Sequence, residues 1–130
     1  MRPFLAILAV LIVATSVRAA PDRLPAEATA DSLYDAQAID SLLAFSERMV
    51  ARSQAADEPV LQGRMMYHRG RARLALRDPR AVEALDRALA IATAANDSTG
   101  RMHALGLKAF VSVNQGRFDE SIALNEERIE

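Results

Sequence analysis

The sequence predicts an all-α fold, on three observations. From Leu33 onward, apolar residues recur at intervals of three and four, the spacing that gathers them on one face of a helix. Nothing alternates apolar with polar residues for long enough to make a strand. The breaks "DEP", "RDP", "NDSTG" and "NQG" cut the pattern into pieces of ordinary helical length. Composition fits this class. Of the 130 residues 51% are apolar but only 5% aromatic, Trp is absent, and alanine dominates, so helix axes can approach closely.

The elements follow in chain order. Residues 1–19, "MRPFLAILAVLIVATSVRA", carry one early Arg, an apolar run from Phe4 to Val13, and then small residues. Val17 and Ala19 stand three and one before a cut ahead of Ala20. This is the layout of a secretory signal, cleaved after Ala19. The apolar run is short for a bilayer core of ~30 Å, which takes ~20 residues, and an uncleaved amino-terminal anchor is the alternative. Residues 20–32 hold Pro21 and Pro25 without apolar periodicity and read as a linker, with Asp31 or Ser32 starting the next helix and Asp35 completing a weak capping box.

A helix is predicted from Leu33 to about Ala56 on the spacing of Leu33, Ala36, Ile39, Leu42, Leu43, Met49 and Val50. A second runs from Val60 to about Leu76 and stops at Asp78, because a residue before proline avoids helical geometry. Pro79 then suits the first turn of a third helix, about 79–95. A fourth covers about 99–114, Gly116 turns the chain, and a last helix begins near Asp119, where Asp119 and Glu120 favour its amino terminus. That final helix ends without a capping residue and leaves Leu124 and Ile129 uncovered, so we expect a chain that continues beyond Glu130.

The segments are self-similar. "SERMVARSQAADEP" (46–59) lies over "LDRALAIATAANDS" (85–98) at an offset of 39, matching Glu47 with Asp86, Arg48 with Arg87 and Val50 with Leu89. "YHRGRARLALRDPRAVEALDRALAIA" and "GRFDESIALNEERIE" resemble tetratricopeptide repeats of the longer kind found in bacterial regulatory and sensor proteins. Gly70, Ala72, Leu76, Ala81, Leu85 and Ala88 carry the resemblance in one repeat, and Leu105, Ala109, Gly116, Phe118 and Ile122 in the next. Arg77, Ser112 and Arg128 depart from the pattern, Arg77 standing where a turn glycine is usual.

The resemblance implies an α-solenoid with a partial repeat at 33–57, a repeat at 60–96 and a truncated one at 99–130. It also implies an inner groove lined by the first helix of each pair. Arg64, Tyr67 and Arg71 map to that groove from one repeat, and His103, Phe110 and Asn114 from the next. Two Arg flanking a Tyr suit a protein or peptide partner, acidic in character, held by bidentate hydrogen bonds.

Other chemistry finds little support. A formal net charge of −1 gives no long-range attraction to nucleic acid, and without cysteine there is no disulfide, thiolate or Cys-ligated zinc. His68 and His103 stand 35 residues apart and offer no metal-ligand spacing, and no cofactor motif is present. No Gly-rich phosphate loop and no nucleophile beside a base suggest an enzyme. Arg69, Arg73, Arg77 and Arg80 share a quarter of one helix's circumference and read as a solvated face paired with acids of neighbouring helices. The expectation is an exported, non-enzymatic scaffold, the extracytoplasmic part of a larger signalling protein; the alternative is a small secreted scaffold with no output domain.

Overall fold

A computed structural model describes residues 20–129. Six helices follow one another: α1 (Pro25–Asp35), α2 (Ile39–Ala55), α3 (Pro59–Ala75), α4 (Ala81–Ala94), α5 (Ser98–Asn114) and α6 (Phe118–Ile129). No strand occurs among the described residues. The proposed secretory segment, residues 1–19, lies outside them.

One turn design is used five times. Gln37, Asp57, Arg77, Asn96 and Gly116 adopt left-handed backbone, with φ of 59°, 53°, 58°, 54° and 75°. In each case the next N–H reaches back to the third-last helical carbonyl: Ala38 to Leu33, Glu58 to Ser53, Asp78 to Arg73, Asp97 to Ala92 and Arg117 to Ser112, all within 2.8–2.9 Å. The left-handed residue bonds to the carbonyl after that one, as Arg77 does to Leu74 at 3.0 Å. This is the Schellman ending, which satisfies carbonyls that a helix terminus leaves open. Its left-handed residues are spaced by 20, 20, 19 and 20 positions, so the chain repeats a helix and its turn. Only Gly116 fills the position without a Cβ penalty.

Two expectations at the amino-terminal side are corrected. Residues 25–32 are not linker but most of α1. Pro25 occupies the first helical turn, where its missing N–H costs nothing, and Glu27 Oε2 accepts the Leu24 N–H at 2.7 Å. The single helix expected over 33–56 is two helices, broken at Gln37. Leu33, Ala36, Ile39 and Leu42 keep a spacing of three across that break, so apolar periodicity passes through it unaltered. Ser32 accordingly lies inside α1 instead of capping a helix.

Each helix packs on its successor, and α1, α3 and α5 also touch one another in series. The core is thin and built from small and flexible side chains. Val50, Met65, Met66, Ala84, Ala88 and Ala104 form one buried cluster, flanked by Phe45, Met49 and Leu61. Ala30, Leu42 and Ala72 form a second beside Leu33 and Ile39. The Met65–Met66 pair is therefore packing. Where α3 crosses α4, a Cβ on Gly70 would lie 2.7 Å from Leu85 Cδ2 and 3.0 Å from its Cγ. The crossing needs a glycine there because Leu85 is fully buried.

Candidate functional site

The face made by α1, α3 and α5 carries a cluster of polar and charged side chains. At its centre Arg64 is 1% exposed. Its Nε donates to Asp97 Oδ2 at 2.9 Å and its Nη2 to Asp97 Oδ1 at 2.7 Å, a bidentate pair. Nη1 donates to Glu27 Oε2 at 3.0 Å, and Nη2 also donates to the Pro21 carbonyl. The guanidinium thus ties the start of α5, the start of α1 and the chain preceding α1 to the first half of α3. Asp97 keeps Arg64 above its ordinary pKa, despite opposition from burial.

Burial pushes the Glu27 carboxyl up, but the neighbouring His68, the Leu24 N–H and Arg64 outweigh it and hold Glu27 at about 2. His68 Nε2 lies 3.8 Å from Glu27 Oε1, near enough to favour the anion but too far for a hydrogen bond. Asp97 makes no side-chain cap to α5; its carboxylate is given to Arg64. A Cβ on Gly100 would overlap that carboxylate, so glycine at this position lets Asp97 sit where it does.

Arg64 is consequently not a groove residue. It was expected on the binding face because the resemblance maps it there with Tyr67 and Arg71, but two internal carboxylates and a backbone carbonyl already occupy it. The acidic preference of a partner loses this support. Arg71 remains at the surface of the face, donating to Asp31 Oδ1 at 3.3 Å, with its Cζ 3.9 Å above the Tyr34 ring.

The other five expected residues are brought together. A hollow of about 410 Å³ is lined by Tyr34, Arg71, Leu74, Leu107, Phe110 and Asn114. A second, of about 380 Å³, is lined by Tyr67, Met102, His103, Gly106, Leu107 and Arg128. Leu107 borders both, so they adjoin along α5. Phe110 is 54% exposed, an apolar ring held in solvent at the lip of the first hollow. The Tyr67 and His103 rings lie 5.6 Å apart, and burial lowers the His103 pKa.

Sequence reasoning missed Glu27, Asp97 and the burial of His68. Glu27 sat in a presumed linker and Asp97 in a presumed turn; an Arg next to the apolar pair Met65–Met66 was the available signal that a buried counter-charge was needed. The separation of His68 from His103 was also misleading, since both border one cavity of about 270 Å³. Among the described residues no group of three or more His, Cys, Asp or Glu is placed to hold a metal ion.

The arginine-rich face is corrected in part. Arg69 pairs with Glu47 of α2 at 3.8 Å, but Arg80 pairs within its own turn, with Asp78 at 2.8 Å. Arg73 is 6% exposed rather than solvated, has no acid within ion-pair distance among the described residues, and its pKa is lowered by burial and then by Arg69 and Arg80.

No family model, curated protein or solved structure matches the chain.

Proposed function

We propose that the chain is a tetratricopeptide-like α-solenoid that binds a protein or peptide along the face of α1, α3 and α5, without catalysing a reaction. The observation that carries this is the pair of adjoining hollows on α3 and α5, where Tyr67, Arg71, His103, Phe110 and Asn114 converge. An exposed Phe110 beside an amide and a guanidinium offers one apolar anchor and two ways to bond a peptide backbone. Anchors of this kind dominate the energetics of interfaces.

Three further features support a solenoid. The turn recurs about every twenty residues, contacts run between successive helices and along the odd-numbered ones, and Phe118, Ile122 and Ile129 of α6 are exposed as one repeat exposes its flank to another. The signal-like pattern of residues 1–19 supports an exported scaffold, which we read as the sensing part of a larger signalling protein.

Selection from a random displayed-peptide library tests the site. Enriched peptides should bind the chain, and Phe110→Ala and Asn114→Ala should each weaken them about tenfold or more with unchanged circular dichroism. Peptides that bind both variants as tightly as the parent would refute the groove.

A further inference from the structure

We propose that the cavity between α1, α3 and α5 is a recognition pocket for a primary ammonium group. The inference rests on the peptide-binding reading of this face and names a chemistry for its ligand.

The first observation is an imbalance of charge. The buried group Glu27–Arg64–Asp97 contains two carboxylates and one guanidinium, a net of one negative charge, with all three side chains at most 5% exposed. Asp22, Glu27 and Asp31 border the cavity together with Arg23 and Arg71, three carboxylates against two guanidinium groups, so its wall is also negative by one. Arg23 and Arg71 both pair with Asp31, at 3.1 and 3.3 Å. Neither bridges to Glu27 Oε1.

The second observation is unmade hydrogen bonding. His68 borders the cavity, is 2% exposed, and neither ring nitrogen has a partner among the described residues. Glu27 spends Oε2 on Leu24 N–H and Arg64 Nη1, while Oε1 faces His68 across 3.8 Å. Buried polar atoms left unpartnered, as both His68 ring nitrogens are, keep their desolvation penalty, and proteins rarely leave them open without cause.

A primary ammonium answers both. It brings one positive charge and three N–H donors. Glu27 Oε1 accepts one, an unpartnered ring nitrogen of His68 accepts a second, and a carboxylate of the rim, Asp22 or Asp31, accepts the third. Tyr67 and His103 border the same cavity and give the attached carbon chain an aromatic wall. A metal ion is a poor alternative, since no cluster of three ligands forms among the described residues. An anionic group would meet Glu27 and Asp22 directly.

The ammonium can belong to a small organic amine or to a lysine of a bound peptide, and titration of the whole chain separates the two. The probes are n-butylammonium, a blocked peptide carrying one lysine and one leucine, and butyrate as the anionic counterpart. The readout is the ring ¹H–¹⁵N correlation of His68 and His103. Both amines should shift the His68 ring saturably, and butyrate should not. Glu27→Gln should weaken the effect about tenfold or more, as expected for loss of a charge-assisted bond. Should that variant unfold, Asp22→Asn with Asp31→Asn, both at the rim, should weaken it several-fold. Equal affinity for the two amines assigns the pocket to a small molecule; tighter binding of the peptide, with Phe110 and Asn114 shifting too, assigns it to a lysine side chain.

The proposal is overturned if n-butylammonium leaves His68 unmoved, if butyrate moves it equally, or if the rim double variant binds as well as the parent. If the peptide perturbs Phe110 and Asn114 but not His68, the groove stands and the pocket falls. If both amines move only His68, the pocket stands and the peptide groove falls.

Discussion

Replacing Asp97 by Asn should destabilise the fold by about 3 kcal/mol, most of what a single change can remove from a domain of this size. Asp97 is 1% exposed and takes two hydrogen bonds from Arg64, at 2.9 and 2.7 Å. Removing one partner of a buried ion pair costs about 3–5 kcal/mol, because the remaining charge stays buried without its counter-charge. The low end applies here, since Arg64 keeps Glu27 and the Pro21 carbonyl. Urea unfolding followed by circular dichroism reads the loss as a lower midpoint at unchanged slope. Arg64→Met and the double variant complete the cycle. Removing the carboxylate's charge should matter much less once Arg64 is gone, leaving a coupling of about 1.5 kcal/mol or more. A single-variant loss under about 1 kcal/mol, the range of an exposed pair, would refute the claim that Arg64 is the locked centre of the fold.

Other predictions follow from the same geometry. Glu27 titrates at about 2 when folded against an ordinary 4.5, so its contribution is complete above pH 4.5 and is lost as pH falls towards 2. That loss is on the order of 3 kcal/mol, and an acid titration of Glu27→Gln should lack it. Arg77 sits in left-handed backbone at φ 58°, so Arg77→Gly should raise stability by roughly 0.5–1 kcal/mol, measured as a higher melting temperature. Gly70→Ala should lower stability by about 1–2 kcal/mol despite alanine's better helix propensity, because its Cβ would meet Leu85 at 2.7 Å. A rise in stability would show that the α3–α4 crossing is looser than described.

Much of the fold was legible because helix punctuation was chemical. Pro59, Pro79, Gly116 and the "NDSTG" stretch mark their turns in the sequence, and α3 to α6 begin and end within two residues of the expected positions. The break at Gln37 was illegible because glutamine carries no turn signal and the apolar spacing continues across it. The site shows the same division. The resemblance put Tyr67 and Arg71 of α3 on one face with His103, Phe110 and Asn114 of α5. It could not show that Arg64 points inward, because its two acids come from residues 37 positions before it and 33 after it. Periodicity sees a helix's own faces; it does not see which of them a distant carboxylate has already claimed.

The central claim is that the chain before α1 runs across α3 to α5, held by Arg64, and walls the polar face. Thr99 Oγ1 lies 3.3 Å from Asp22 Oδ1, joining residues 77 positions apart. Nuclear Overhauser spectra of the selectively labelled chain read this directly. Cross-peaks between the Asp22 side chain and the Thr99 methyl, with others between Glu27 and Arg64, are the predicted result; random-coil shifts over residues 21–24 with no cross-peak to α5 would contradict it.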